Sequence, residues 1–389
     1  MAVVKRLEKE TEMSLLRFAL CVIAVLLACG GIVLAGESEK VFPGESWVVK
    51  TPAEVGLDAA KLQEFARRLG AEDPNARSCG CIIKDGYMVY SWGDQADKLN
   101  WASSSKPVFS TMLLFALQAG KIKSVDDKIA GWGWNLSEKD KPITFYHLAN
   151  NTSGYACQEA PGEAWNYNDT AIQLYYLTLQ KVFGMDINSA GMECFKPLHL
   201  QDGDLFNDRG RVVTTPRDFA RIVWFWANRG NWNGKQVLPR EYFERYMKPH
   251  VPVTMPLSVT RKADDYLKIG SYGGRPKAFE YGPGKYGFNW WFNAPDKGSE
   301  QPCLADVPAD TVLTFGSRGC NSVMMPSLGL VVAARGRWGS LGAGRPMSDP
   351  NAPSTQAGAR PRSGFGRQRL NENLKLLVES VQPSATPAR

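Results

Sequence analysis

The chain has 389 residues, of which 44% are hydrophobic and 22% are charged. This length suits one large or two medium domains, and the composition is typical of a globular protein with a sizeable core. It excludes a wholly disordered, collagen-like or polytopic membrane protein. The formal net charge is +7, but residues 335–389 hold nine basic and three acidic residues. The remainder is close to neutral, so no basic face indicates nucleic-acid binding.

The N-terminus has the pattern of an export signal. Residues 18–35 carry no charge, and Arg17 stands directly before them. A positive segment, an apolar run and the small-residue end Val33-Leu34-Ala35 predict a signal peptide over residues 1–35 that is cleaved. A retained membrane anchor and a lipoprotein modified at Cys29 are the alternatives, because 18 apolar residues are near the lower limit for a span. We therefore expect an exported protein of bacterial type, periplasmic or membrane-associated.

Six cysteines follow this segment: Cys79, Cys81, Cys157, Cys194, Cys303 and Cys320. An even number in an exported chain can form disulfides, but the sequence does not give their pairing. Free, buried thiols are the equal alternative. The chain has no C-x-x-C spacing and three histidines, so we expect no metal site.

A helix and a hairpin are predicted first along the chain. Asp58 can cap the helix and Gly70 can end it, and its apolar face consists of Leu62, Phe65, Ala66 and Leu69. Residues 81–83 and 87–90 are rich in β-forming side chains, and Asp85-Gly86 lies between them. An Asp-Gly pair between such runs is typical of a β-hairpin.

The middle of the chain is predicted to be helical. The pattern over 103–119 is apolar on nearly every side, which is typical of a helix in the interior of a protein. A second helix is expected to follow Asp169 or Thr170 and end at Gly184. A third begins at Thr215-Pro216, where threonine caps and proline takes the first turn, and ends near Gly230.

The last third is predicted to consist of short strands and a final helix. The strands are residues 286–292, 311–315, 322–325 and 328–334, separated by Gly or Pro. Residues 338–366 are rich in Gly, Pro, Ser and Arg and are expected to form a flexible loop, and 370–381 return to a helical pattern. The order predicts an α/β (α+β) fold, with an antiparallel sheet from both chain ends, flanking terminal helices and an inserted α-rich lobe.

The first chemical motif is Ser103-Ser104-Ser105-Lys106 at the start of the buried helix. The spacing of three places Ser103 and Lys106 on one helix face, where an amine can activate a hydroxyl as a nucleophile. The positive end of the helix dipole favours an anion forming there. Taken alone, a serine at a helix start is usually only a cap.

Further segments occur in the order found in one known family. They are Gly56-Leu57-Asp58 with Lys84-Asp85-Gly86, residues 143–148 with Thr152-Ser153-Gly154-Tyr155, Pro161-Gly162 with Tyr167-Asn168-Asp169, and Phe315-Gly316-Ser317-Arg318-Gly319. With residues 101–107 around the S-x-x-K motif, they span roughly residues 50–335. The set resembles the serine β-lactamase-like and penicillin-binding-protein-like family, with class C β-lactamases, family VIII esterases and 6-aminohexanoate-dimer hydrolase. It implies the β-lactamase/transpeptidase-like fold for a serine hydrolase domain over residues 36–389.

The resemblance also implies roles for individual residues. Ser103 is expected to be the acylated nucleophile, Lys106 the base or its partner, and Tyr167 the relay that passes a proton to the leaving group. The backbone N–H groups of Ser103 and Cys320 are expected to form the oxyanion hole. The implied substrate-binding residues are Asp169, Ser317, Arg318 and Gly319.

Two positions depart from the family pattern. Asp169 stands where the family has asparagine, and Ser317 stands where its last motif has lysine or histidine. A carboxylate beside an amine favours the charged amine. If Asp169 contacts Lys106, we therefore expect a charged Lys106 that lowers the pKa of Tyr167, with Tyr167 as the base. Arg318 can bind a substrate carboxylate through two hydrogen bonds, with a salt bridge as its alternative role.

The sequence thus predicts an exported serine hydrolase that cleaves a small ester, amide or peptide through an acyl-enzyme, without a cofactor. No G-x-S-x-G, H-E-x-x-H or P-loop pattern supports a different chemistry. Esterase or amidase activity is favoured over β-lactamase activity, because the last motif lacks its usual lysine. The alternatives are a catalytically weak binding or sensor protein of the same fold and a cell-wall D-amino-acid peptidase.

Overall fold

The computed structural model describes residues 40–207, 210–341 and 366–382. The predicted signal at 1–35 and most of the predicted loop at 338–366 lie outside these residues. Across the described ranges, no helix combines the length and the apolar character that crossing a bilayer requires.

The described part of the chain contains helices and strands at most of the predicted places. The α-helices are α1 (Ala59–Leu69), α2 (Lys106–Gln118), α3 (Phe145–Ala149), α4 (Asp169–Phe183), α5 (Ile187–Phe195), α6 (Pro216–Ala227), α7 (Arg240–Tyr246) and α8 (Gly366–Ser380). The strands are β1 (Cys79–Lys84), β2 (Tyr87–Trp92), β3 (Leu99–Asn100), β4 (Val213–Thr214), β5 (Asn231–Trp232), β6 (Lys235–Gln236), β7 (Tyr286–Gly287), β8 (Trp290–Phe292), β9 (Val312–Phe315), β10 (Cys320–Met325) and β11 (Leu330–Arg335).

Seven of these strands form one antiparallel sheet in the order β2-β1-β11-β10-β9-β8-β7. Strand β1 near the N-terminus pairs with β11 near the C-terminus, from Cys79 opposite Arg335 to Lys84 opposite Leu330. The predicted antiparallel sheet built from both ends of the chain is therefore confirmed.

Helices cover both faces of this sheet. On one face the terminal helices α1 and α8 pack together, and Asp58 caps α1 through the backbone N–H groups of Ala60 and Lys61. On the other face α6 packs on β1, β10 and β11, capped by Thr215 with Pro216 in its first turn. The predicted flanking by terminal helices is confirmed.

The α-rich lobe is inserted between β2 and β7, and α2 lies in its interior. Residues Lys106–Leu114 of α2 are all buried, as the all-round apolar pattern predicted. The predicted helix at 103–119 is divided, because a 3₁₀ turn over Ala102–Ser105 precedes α2. The left-handed φ of 47° at Ala102 prevents regular helix from extending before Ser103, and Pro107 suits the first turn of the α-helix that begins at Lys106.

The six cysteines of the described part are free thiols. Cys79 and Cys320 both stand opposite Arg335, one on each side of β11. Because neighbouring strands are about 4.8 Å apart, an intervening strand keeps these two Cα atoms beyond the span of about 7 Å that a disulfide allows.

Candidate active site

Ser103 and Lys106 lie side by side where the 3₁₀ turn meets α2. Ser103 is partly exposed, whereas Lys106 is completely buried. Nζ of Lys106 donates a hydrogen bond to Oγ of Ser103 at 2.6 Å. The structure therefore joins the predicted nucleophile and the predicted amine, with the hydroxyl on the open side.

Tyr167 reaches the same amine from the N-terminus of α4. Asn168 caps this helix by accepting hydrogen bonds from the backbone N–H groups of Thr170 and Ala171. The backbone of Tyr167 is held by two hydrogen bonds with Lys277, of 2.9 and 3.0 Å. The buried phenol accepts a hydrogen bond from Nζ of Lys106 at 2.9 Å. Three predicted catalytic side chains thus converge on one point.

Asp169 is the third oxygen partner of Lys106. Its Oδ1 forms an ion pair with Nζ of Lys106 at 2.7 Å, and its Oδ2 accepts a hydrogen bond from the backbone N–H of Gly274 at 2.6 Å. The side chain is only 5% exposed. Asp169 therefore contacts the lysine and the backbone at Gly274, and its substrate-binding role stays a prediction.

Burial controls the acidity of the phenol. Desolvation raises the pKa of Tyr167 well above its ordinary value, and the Asp169 carboxylate raises it further, while a hydrogen bond with Ser103 acts in the opposite direction. The pKa of Tyr167 is therefore raised overall and not lowered as expected, because burial of the phenol is the largest influence on it. Tyr167 is a neutral phenol in the resting protein.

The edge of the sheet holds the nucleophile turn in place. Ser104 shares a short hydrogen bond with Thr314 of β9, and Thr314 is in turn bonded to Ser322 of β10 at 2.8 Å. All three hydroxyls are buried. This chain of buried hydroxyls fixes the position of the turn that presents Ser103.

The segment Ser317–Gly319 lies beside that turn, as the family resemblance implied. It forms a 3₁₀ turn between β9 and β10 that contacts the turn Ala102–Ser105. Ser317 and Arg318 are exposed, and Arg318 adopts a left-handed φ of 61°. Arg318 is therefore an exposed cation in a turn that contacts the turn of Ser103, and its role in substrate binding stays a prediction.

The predicted second oxyanion donor forms a hydrogen bond within a turn. The backbone N–H of Cys320 donates to the carbonyl of Ser317 and closes the 3₁₀ turn. Cys320 is buried at the start of β10. Its N–H is therefore used within the turn in this conformation, and its role as an oxyanion donor stays a prediction. Ser103 stands in the first turn of its 3₁₀ helix, where N–H groups have no intrahelical partner.

Residues 271–277 close the site, and no sequence motif identified them. Tyr272 is buried, hydrogen-bonds to Oγ of Ser105 at 3.0 Å, and donates its backbone N–H to the carbonyl of Asp169 at 2.9 Å. A β-carbon at Gly273 would overlap the Asp169 carboxylate. The pair Gly273-Gly274 was the available signal, because adjacent glycines permit such a close approach of backbone.

The histidines take structural positions. Nδ1 of His147 accepts a hydrogen bond from the backbone of Thr144 at the start of α3, and Nε2 of His250 lies 3.0 Å from the carbonyl of Arg245. Within residues 40–207, 210–341 and 366–382, no group of three His, Cys, Asp or Glu side chains is placed to hold a metal ion.

Solved structures share this fold at low sequence identity. A candidate β-lactamase from Bacteroides dorei DSM 17855 matches with a TM-score of 0.60 and 15% identity, covering 84% of this chain and 99% of that one. An octameric penicillin-binding protein homologue from Pyrococcus abyssi matches with a TM-score of 0.54 and 16% identity, and the match covers 83% of this chain and 78% of that one. EstCE1, a hydrolase with promiscuous acyltransferase activity, matches with a TM-score of 0.52 and 13% identity, and the match covers 71% of this chain and 93% of that one. No curated protein matches the sequence.

The sequence itself matches the family model described as "Beta-lactamase" over residues 81–334. That range includes the S-x-x-K motif, Tyr167, Asp169 and the segment Ser317–Gly319. It covers more than half of the chain, and the β-lactamase/transpeptidase-like fold agrees with it. The protein therefore belongs to the β-lactamase family, a family of serine hydrolases.

Proposed function

We propose that this protein is an exported serine hydrolase that cleaves an ester or amide bond of a small substrate through an acyl-enzyme on Ser103. The observation that carries the proposal is the position of Lys106, whose Nζ lies 2.6 Å from Oγ of Ser103 and 2.9 Å from the phenol of Tyr167. A nucleophile, an amine and a proton relay within hydrogen-bond distance are what acyl transfer requires.

The reaction divides into two steps at this site. Oγ of Ser103 attacks the carbonyl carbon and loses its proton to the amine of Lys106. The backbone N–H of Ser103 stabilises the oxyanion. The neutral phenol of Tyr167 then donates its proton to the leaving group and is reprotonated by Lys106. Water repeats these steps in the opposite direction and releases the acyl group from Ser103.

The last motif favours an esterase or amidase. The lysine or histidine of the family motif is replaced by Ser317, and the exposed cation of this segment is Arg318. A guanidinium binds a carboxylate through two parallel hydrogen bonds, which suits a substrate with an acidic group. Export is supported by the charge and hydropathy pattern of residues 1–35.

Hydrolysis of p-nitrophenyl esters and anilides by the purified protein tests the proposal. We expect turnover by the wild-type protein and a loss of about 10⁴-fold or more in the Ser103→Ala variant, as for removal of other catalytic nucleophiles. Ser91→Ala, at an exposed serine of β2, is the matched control and should retain full activity. Equal rates for wild type and Ser103→Ala would support the binding or sensor alternative, and release of D-alanine from peptidoglycan fragments would support the peptidase.

A further inference from the structure

The amine of Lys106 contacts three oxygen atoms in the resting site, two through hydrogen bonds and one through an ion pair. An ammonium group has three N–H donors and no lone pair, and this one faces Oγ of Ser103, the phenol of Tyr167 and Oδ1 of Asp169 at 2.6, 2.9 and 2.7 Å. It cannot take the proton of Ser103 in this state. One of its own protons must first pass to a neighbouring oxygen.

Only one of the three neighbouring oxygens is a base. A serine hydroxyl and a neutral phenol accept a proton only at great cost, whereas a carboxylate accepts one readily. Tyr167 is held neutral by its burial, which raises its pKa. Asp169 is therefore the neighbouring group that can accept a proton from Lys106.

The contacts of the Asp169 carboxylate suit it to accept this proton. Oδ2 is fixed by the backbone N–H of Gly274, whereas Oδ1 faces Nζ of Lys106 and has no other polar partner among the described residues. The Lys106 side chain is 0% exposed and that of Asp169 is 5% exposed. Desolvation penalises two buried charges but not an amine beside a carboxylic acid, so a proton transfer within the pair removes both buried charges.

We propose that Asp169 accepts a proton from Lys106 during acylation, so that the Lys106–Asp169 pair acts as the general base toward Ser103. This inference rests on the proposed function and adds a residue to its chemistry. It also gives a role to the aspartate that replaces the asparagine of the family pattern.

The proton transfers balance over one half-reaction. An N–H bond of Lys106 breaks as an O–H bond forms on Oδ1 of Asp169, which leaves a neutral amine. That amine takes the proton of Ser103 while Oγ bonds to the carbonyl carbon and the C=O electron pair moves to oxygen. Tyr167 then protonates the leaving group as its bond to carbon breaks, and Lys106 reprotonates Tyr167. Asp169 finally returns its proton to Lys106.

The titratable groups that surround the pair, directly or through Tyr272, come from several elements. They are Tyr167 before α4, Tyr272 and Lys277 in residues 271–277, Tyr286 of β7, and Arg211, whose guanidinium lies 3.8 Å from the ring centre of Tyr272. Tyrosine, lysine and arginine side chains ordinarily titrate above pH 9. Rates measured between pH 6 and 9 therefore report on the pair itself.

The pH dependence of Ser103 labelling by a fluorophosphonate tests the inference. In the wild-type protein, we expect a nearly level second-order rate constant from pH 6 to 9, because the proton stays within the pair. In Asp169→Asn, Lys106 must release its proton to solvent. Its labelling rate should then fall about tenfold for each pH unit below the point where the amine becomes charged. Asp169→Glu keeps the carboxylate and should keep the level profile.

Asp140→Asn is the matched control, because Asp140 is also buried and paired with a lysine, Lys139, at 2.5 Å. Its profile should follow that of the wild type. Superimposable profiles for wild type and Asp169→Asn would overturn this inference while leaving the proposed function intact. Absence of labelling at Ser103 in the wild type would overturn both. If Asp169→Asn does not fold, a pH-dependent profile in Asp169→Glu would equally contradict the inference.

Discussion

Gly316 lies directly against the main chain of Trp101, two residues before Ser103. A β-carbon at position 316 would overlap the carbonyl oxygens of Trp101 and Cys320 and stand 3.2 Å from the β-carbon of Ser104. The φ of Gly316 is −117°, which any residue can adopt. The glycine is therefore required for close approach and not for backbone conformation.

We expect Gly316→Ala to displace the turn Ala102–Ser105 from the edge of the sheet. Overpacking against rigid backbone destabilises by about 1–3 kcal/mol, and a small displacement of Ser103 lowers its reactivity by about 10²-fold. Gly131→Ala, where no atom lies within 4 Å of the added carbon, is the control. Melting temperature and fluorophosphonate labelling check the prediction. Wild-type values of both for Gly316→Ala would contradict it.

Tyr167→Phe should separate proton relay from packing. The ring stays among Trp165, Trp291 and Phe279, whose ring centres lie 5.7–6.3 Å from that of Tyr167, but the hydroxyl that meets Lys106 is lost. We expect kcat for an anilide to fall about 10²–10⁴-fold, the usual contribution of a general acid, with the fold retained in circular dichroism. Tyr281→Phe, in the same aromatic group, should lose little activity. Equal losses in the two variants would argue against a relay at Tyr167.

The sequence predicted the elements that carry the site better than the contacts within it. Asp58, Asn168 and Thr215 cap the helices that begin beside them, because a cap depends on a few neighbouring residues. The hairpin at Asp85-Gly86 joins β1 and β2 for the same local reason. Local chemistry was therefore sufficient for these elements.

The long-range contacts of the site could not be derived in this way. The approach of Gly274 to Asp169 joins residues 105 positions apart, and no sequence pattern records that distance. The closing of a 3₁₀ turn by Cys320 depends on the conformation of the connection between β9 and β10. The direction of the Tyr167 pKa shift depends on burial among four aromatic rings, those of Trp165, Phe279, Tyr286 and Trp291.

Stability should decline at alkaline pH because of buried phenols. Burial raises the pKa of Tyr281 to about 12 and that of Tyr167 well above its ordinary value, whereas unfolded tyrosines ionise near pH 10. The stabilisation is thus complete below pH 10 and is lost as pH rises toward 12. Each such group contributes a slope of about 1.4 kcal/mol per pH unit in that window.

Urea unfolding at pH 9, 10 and 11 measures this decline. Tyr281→Phe removes one ionisable group, so its free energy of unfolding should fall less steeply between pH 10 and 11 than that of the wild type. Identical slopes for the two proteins would show that ionisation of Tyr281 is not linked to unfolding.

Arg318→Ala should affect acidic substrates selectively. A bidentate hydrogen-bonded ion pair contributes about 1.5–3 kcal/mol, so we expect KM for an ester with a terminal carboxylate to rise about tenfold or more. KM for the neutral analogue should stay unchanged. Arg240→Ala, at an exposed arginine of α7, controls for the loss of surface charge. An equal rise in KM for both esters would remove Arg318 from carboxylate recognition.

Covalent labelling mapped by mass spectrometry tests the central claim most directly. After reaction with a fluorophosphonate, we expect one adduct per chain, located on Ser103, and no adduct in Ser103→Ala. An adduct on another residue, or none on a folded wild-type protein, would contradict the assignment of Ser103 as the nucleophile.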